Sequence, residues 1–328
     1  MRTSPNISVI LATRNRAESL RETLTALARQ ETHGAFTYEI LVVDNGSTDH
    51  TRHLVEQCRA NVPILLRYCY EGRSGRPWAL NRGLEHAHGQ FLAFTDDDVL
   101  PTPTWLTALW RCFHEEQADG VAGRVLPHWT APRPDWLTDD VVKRIGGLGY
   151  LDYGPCRLSL LDHHRARWFG GNMAIRREVI RKIGVYDTRM VRAQDTEYCR
   201  RCVRHGLKVA YEPAALVYHK IGVEKMHPAY FRRWRHMTGH FHAYLLPWSA
   251  VHLFTIVPMS WYRDVFQLTT AWLKSVVARR PWNQRFWYEL KLRELFSIWL
   301  HRLQLWPRWW VTVLTGRSWE PTQDSRSH

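Results

Sequence analysis

The run Phe91-Leu92-Ala93-Phe94-Thr95-Asp96-Asp97-Asp98-Val99-Leu100-Pro101 is an apolar strand that delivers three consecutive carboxylates to its own end. Like charges a few ångströms apart repel by roughly 4 kcal/mol at an effective dielectric near 20, so such a cluster needs a cation. Oxygen ligands suit Mg²⁺ or Mn²⁺, which keep part of their water and bind substrate phosphates through one or two carboxylates. The alternative is a solvated loop or helix cap.

The strand does not stand alone. Ile7 to Leu11 reads as a buried strand, and Asn15-x-x-Glu18 as a capping box opening a helix with Leu20, Leu24 and Leu27 on one face. Ile40 to Val43 is a second apolar strand that ends in Asp44-Asn45-Gly46-Ser47-Thr48-Asp49, followed by a helix marked by Leu54, Val55 and Cys58. Ile64 to Tyr68 is a third, and Pro77 can open the helix that carries Trp78, Leu80 and Leu84 toward a stop at Gly89. This β-α alternation predicts an α/β fold with a mostly parallel central sheet and flanking helices. Ligands of such sheets bind outside the carboxyl ends of the strands, where Thr13-Arg14-Asn15, the Asp44 loop and the aspartates all fall. Leu11 to Arg16 supplies neither G-x-G-x-x-G nor a Gly-Lys-Ser/Thr ending, which excludes a dinucleotide fingerprint and a P-loop.

Several segments in order resemble the family-2 glycosyltransferases of the GT-A fold. They are Ser8 to Arg16, Val42 to Asp49, Asn81-Arg82-Gly83 and Thr95 to Asp98, then Phe169 to Arg177, Ile183 to Asp187 and Gln194 to Tyr198. The resemblance covers residues 7 to 225 and implies a Rossmann-like nucleotide-binding half, a nucleotide-sugar donor, most simply a UDP-sugar, and Mg²⁺ or Mn²⁺. It also implies Asp44 as the contact to the nucleotide base, flanked by Thr13, Arg14 and Asn15, with Asn81 nearby. A carboxylate accepts from an imide N–H and repels an acceptor, so the chemistry suits that role, although Asp-Asn-Gly also makes turns. Two registers are open for the metal. Read as D-x-D, Asp96 and Asp98 form the pair; counted back from Pro101 against the family's D-x-D-D-x-x-P pattern, Asp97 is the ligand and Asp96 turns to the ribose. The second register is preferred, with Asp98 and His219 as further candidate ligands.

By the same resemblance Asp195 is the general base of a single inverting displacement. Gln194 stands where the family has glutamate, and Glu197 is the fallback base. Gly171 and Asn172 would lie against a sugar, since glycine lets backbone amides approach and asparagine offers both donors and acceptors to hydroxyls. Residues 127 to 165, rich in proline and glycine, fit no periodic element and suggest an irregular loop that selects the acceptor.

Charge separates the chain into a catalytic domain, 1–225, and a tail, 226–328. The net charge is +14, with 31 basic against 26 acidic residues in the first part and 14 against 5 in the second, which also holds eleven of the seventeen tryptophans. Arginine mixed with tryptophan suits a membrane surface before nucleic acid. Residues 241 to 262 contain no Lys, Arg, Asp or Glu, yet two prolines and two histidines argue against a simple span. Residues 282 to 310 interleave Trp287, Trp299, Trp306, Trp309 and Trp310 with Arg285, Lys291, Arg293, Arg302 and Arg308, the pattern of interfacial helices. Arg232, Arg233 and Arg235 face either phosphates or lipid, and Thr322 to His328 reads as disordered. The expectation is a helical tail on the cytoplasmic face of the membrane, near a glycan or lipid-linked acceptor.

Six scattered cysteines suggest a reducing compartment, Met1 to Ile7 lacks the apolar region of a cleaved signal, and Cys199-x-x-Cys202 falls in a helical pattern without a second pair at zinc spacing. Two other functions have the same outline. A nucleotidyltransferase needs a Gly-rich, Lys-containing loop after the first strand, which Ala12-Thr13-Arg14-Asn15 lacks, and a non-catalytic carbohydrate or anionic-surface scaffold needs no intact Asp195.

Overall fold

Each apolar run of the first hundred residues becomes a strand. In the computed structural model, which describes residues 4–160, 168–190, 192–245 and 256–315, these are β1 (Ile7–Thr13), β2 (Tyr38–Asp44), β3 (Leu65–Tyr70) and β4 (Phe91–Asp96). The chain divides into two units, Met1–His128 with Gly149–Lys220, and Trp129–Leu148 with Ile221–His328.

In the first unit β1 to β4 alternate with α1 (Ala17–Ala28), α2 (Thr51–Asn61) and α3 (Arg76–His86), and α4 (Trp105–Glu115) and α6 (Arg177–Ile183) follow later in the chain. The pairs β1–β2, β1–β4 and β2–β3 are parallel. Every residue of β2 is buried, as expected of a strand covered by helices on both faces. The later strands add to this half antiparallel: β8 (Asn172–Arg176) on β4, β6 (Gly120–Trp129) on β8, and β5 (Val99–Pro101) on β9 (Val209–Ile221). With β7 (Leu158–Ser159) also on β9, the sheet runs β3-β2-β1-β4-β8-β6-β9-β5. The sheet is therefore mixed, parallel only where βαβ crossovers supply the connections.

Register aligns the polar strand ends. Thr13 lies opposite Asp44, Ala12 opposite Asp96, and Asp44 opposite Tyr70. Leu20, Leu24 and Leu27 of α1 are buried as the spacing requires. The capping box does not form: Asn15 takes a left-handed φ of 52°, and its side-chain oxygen accepts from the Thr48 N–H at 2.7 Å. Asp49 caps instead, accepting from the N–H of Ala17 at 3.2 Å and that of Thr51 at 3.0 Å, which ties the starts of α1 and α2 to one carboxylate.

The second unit is helical. It holds α5 (Asp139–Ile145), α8 (Pro228–Leu245), α9 (Met259–Val277) and α10 (Trp282–Thr315). The segment expected to be an irregular loop thus contains a helix, capped by Thr138, whose side-chain oxygen accepts from the Val141 N–H. Trp136 packs edge-on against Phe231, Trp282 and Phe286 at 5.4 to 5.8 Å. Arg232, half-buried, and Arg235, buried, pair with Glu289 at 2.7 Å and Glu294 at 2.6 Å on α10, while Arg233 is exposed. Two members of the expected interfacial pattern turn inward: Arg302 is fully buried on the Ile256 carbonyl at 2.6 Å, and Trp309 is buried. Burial pushes the Arg302 guanidinium down to about 10. Of the uncharged stretch 241 to 262, Phe241, Ala243 and Val257 are buried, and residues 246–255 lie outside the described residues, as does the expected disorder of 322–328. Among the described residues no helix is long and apolar enough to cross a membrane.

Candidate active site

The three aspartates diverge because the chain turns immediately after β4. Asp96 ends the strand and forms an ion pair with Arg76, at the start of α3. Asp97 is buried, with one carboxylate oxygen accepting from the Thr13 hydroxyl at 2.7 Å and the other from Arg16 at 3.0 Å. The Asp97 carbonyl accepts from the Ser19 and Thr23 hydroxyls, which anchors the turn on α1. Asp98 opposes His219, Oδ2 to Nε2 at 3.4 Å, because β5 and β9 pair Val99 with His219. Arg16 reaches Asp98 as well, at 3.1 Å. The structure thus brings Asp98, and not the preferred Asp97, to His219.

The electrostatics match a crowded anionic cluster. Burial, reinforced by Asp98, raises both Asp96 and Asp97 above the ordinary carboxylate range against the pull of Arg76 and Arg16. Burial disfavours charge on the two arginines, and the carboxylates outweigh it, so both guanidinium pKa values rise. A divalent cation has a fitting place here: the half-buried Asp98 carboxylate and the buried His219 imidazole face each other, and among the described residues no three His, Cys, Asp or Glu side chains form a closed metal cage. Such an open pair leaves the remaining coordination positions to phosphate and water.

Asp195 lies in the first turn of α7 (Gln194–Arg204), where the helix dipole favours an anion. Its oxygens accept from the Gly170 N–H at 3.1 Å and the Thr196 N–H at 2.7 Å. Arg76 contacts the Gly170 carbonyl at 3.4 Å and feels the charges of both Asp96 and Asp195, while its Nε is buried with no hydrogen-bond partner among the described residues. Gly171 lets this arrangement close, since a Cβ there would meet Asp96 Oδ2 at 2.8 Å and the Phe169 ring at 2.7 Å. Arg76 escaped the sequence reading; the only signal was the Gly-Arg-Ser-Gly-Arg-Pro run between β3 and α3. The fallback base Glu197 is held by Arg201 at 2.7 Å.

Other expected contacts have internal duties. Asn81 is buried and exchanges two 2.9 Å hydrogen bonds with the Tyr186 backbone, so its amide is not presented to a nucleotide. Asn172 is fully buried: it accepts from Trp105 Nε1 at 2.8 Å and donates to the Arg124 and Ala215 carbonyls at 2.9 and 2.8 Å, so it cannot reach a sugar. Thr13 is spent on Asp97. Arg14, exposed, donates to Ser74, and Asn15 fastens the β1 loop to the β2 loop. Asp44, at the carboxyl end of β2 and 2% exposed, accepts from the Ser47 N–H and the Tyr68 hydroxyl, both at 2.8 Å, which occupies about half of a carboxylate's four lone-pair sites. Cys199 and Cys202 are buried free thiols on α7, and burial pushes Cys199 up to about 11, which makes it inert rather than redox-active.

Comparison with known proteins agrees with this geometry. The model of glycosyl transferase family 2 matches residues 8–184. Glycosyltransferase AglE of Haloferax volcanii is 28% identical over 64% of this chain, which spans 65% of that relative's length. The succinoglycan biosynthesis protein ExoM of Rhizobium meliloti is 26% identical over 75% of this chain and 76% of its own. Among solved structures, the mannosyltransferase PcManGT from Pyrobaculum calidifontis, in complex with GDP-Man and Mn²⁺, superposes with a TM-score of 0.60 at 18% identity, covering 92% of this chain and 88% of its own. S. aureus TarS 1-349 with UDP gives 0.53 at 14%, covering 97% and 94%. A GT-A sheet with carboxylates at its polar edge, matched by that family model over residues 8–184, places the chain in glycosyl transferase family 2, and it is a glycosyltransferase.

Proposed function

We propose that the chain transfers a sugar from a nucleoside-diphosphate donor, a UDP-sugar first among them, to a hydroxyl of a glycan or lipid-linked acceptor, with inversion. One observation carries this reading: Arg76 joins the strand-end carboxylate Asp96 to the Gly170 turn that holds Asp195, so a proton acceptor and the acid-lined edge meet through one guanidinium. The acceptor oxygen attacks the anomeric carbon as Asp195 takes its proton. The bond from that carbon to the diphosphate breaks, and its electron pair leaves with the diphosphate. Arg76, whose side chain is 33% exposed, brings positive charge to the donor's edge, and Asp44 retains lone pairs for a base imide.

Asp98 and His219 are the residues that would hold the metal. When bound, it supplies charge to neutralise the leaving diphosphate. The imidazole favours Mn²⁺ over Mg²⁺, which prefers oxygen alone. The succinoglycan biosynthesis relative supports a role in cell-surface glycan synthesis; a place at the cytoplasmic face of the membrane rests on the basic, tryptophan-rich composition of residues 226–328 alone.

Thermal shift with sugar nucleotides and Mn²⁺ identifies the donor, because a ligand that binds only the folded state raises its stability. Asp195→Asn is expected to lower transfer by about 10²- to 10⁴-fold with donor binding intact. Asp98→Ala with His219→Ala is expected to abolish the Mn²⁺-dependent shift. Full transfer in the first variant refutes the base, and an unchanged Mn²⁺ shift in the second refutes the metal pair.

A further inference from the structure

Helix α9 is apolar on two opposite sides. Trp261 and Ser275 face inward, Trp261 donating to the Leu295 carbonyl of α10 at 3.0 Å and Ser275 being 3% exposed. On the other side Met259, Tyr262, Phe266, Leu273 and Val277 are 65%, 42%, 72%, 51% and 84% exposed. At 100° per residue these five fall within an arc of roughly 60°, a stripe running the length of the helix. Its central gap is Thr270, whose hydroxyl donates back to the Phe266 carbonyl at 2.8 Å and so hides its polarity within the helix. A surface helix of a soluble domain normally shows one apolar face. This one shows a second.

Charge identifies what covers it. Arg263 and Lys274 lie along one flank of the stripe, and Arg279 and Arg280 follow the helix end; all four are exposed, and Asp264 is the one acidic residue of the helix. A protein partner would need acidic and apolar groups interleaved at this spacing, whereas an anionic bilayer offers both across any patch. Phe296, Leu303 and Leu314 of α10 repeat the device, at 57%, 37% and 75% exposure and within an arc of roughly 20°.

We propose that the stripe Met259-Tyr262-Phe266-Leu273-Val277, with its basic flank, lies in the headgroup region of an anionic membrane as an interfacial helix. This is a different surface from the tryptophan–arginine run 282–310 that the composition points to. It deepens the membrane reading above, and vesicle binding is scored apart from sugar transfer, so failure of one is distinguishable from failure of the other.

The test uses the full chain in flotation with vesicles of phosphatidylcholine alone or mixed with phosphatidylglycerol. Binding is expected only to the mixed vesicles. Phe266→Asp with Leu273→Asp is expected to weaken it at least tenfold, and Lys274→Glu or Arg279→Glu by about fivefold or more, since each basic side chain near such a surface contributes about that factor. The substituted side chains are exposed, so circular dichroism and melting should be unchanged. Three results overturn the proposal: no binding to mixed vesicles, equal binding by the double variant, or a concentration-dependent dimer that the double variant abolishes, which would make a second copy the occupant.

Discussion

Asn172 distinguishes a sugar contact from a structural strut. Its side chain makes three hydrogen bonds, to Trp105, Arg124 and Ala215, at 2.8 to 2.9 Å with no solvent exposure. Gly123 is packed so closely against its amide that a Cβ there would overlap it. Asn172→Ala takes a hydrogen-bond partner from one buried donor and two buried carbonyls. At about 1–3 kcal/mol for each unmet group, less some relaxation, the loss comes to roughly 3–6 kcal/mol. That is a large part of the 5–15 kcal/mol typical of a domain, and on the order of 10 °C in melting temperature at this size. Asn172→Asp should fare no better, because it turns an acceptor toward the two carbonyls. Urea denaturation of both variants gives the midpoint and slope, and donor KM is measured on the folded fraction. A variant as stable as the parent with a raised donor KM would refute the strut and restore the sugar contact.

Thr13→Val removes the hydroxyl that donates to Asp97 while keeping the volume; it should cost about 2 kcal/mol in urea denaturation, with donor KM nearly unchanged. Glu294 supplies a pH dependence. Burial opposes its charge, but His242, Arg235 and Lys291 hold its pKa down to about 2 from 4.5. A depressed folded pKa means that its stabilisation, on the order of 3 kcal/mol, is complete above pH 4.5 and lost as pH falls toward 2. Glu294→Gln should flatten the stability profile in that window alone, and an unaltered acid slope would disprove the assignment.

The parallel half of the sheet was legible because its strands are short apolar runs bounded by turn residues, and the helix faces because leucines recur at three and four. What failed did so for physical reasons. The capping signal at Asn15 is local, but its amide is claimed by Thr48, thirty-three residues away in the chain. Asn81 and Asn172 sit in family motifs whose chemistry suits ligands equally well, and only their partners, Tyr186 and Trp105, show that they brace the scaffold. Counting from Pro101 could not separate Asp97 from Asp98, because the turn after β4 and the β5–β9 register decide which carboxylate meets His219. Arg76 had no signature beyond a basic residue beside a proline. The antiparallel strands went unread because β6, β8 and β9 draw their pairing from residues far apart in sequence.

The strand order sets a timetable for synthesis. Asp44 and the three aspartates are all made within the first hundred residues, and β1 to β4 can pair as soon as they emerge. Asp195 and His219 follow roughly one hundred residues later, about 5–20 s at ordinary translation speeds. During that interval the open edge of β4, which β8 later covers, is a row of unpaired backbone groups beside an apolar face. A nascent chain paused there would hold Asp44 and the three aspartates but not Asp195, together with an adhesive edge. Slow decoding between residues 100 and 172 should therefore lower soluble yield more than the same delay after residue 221.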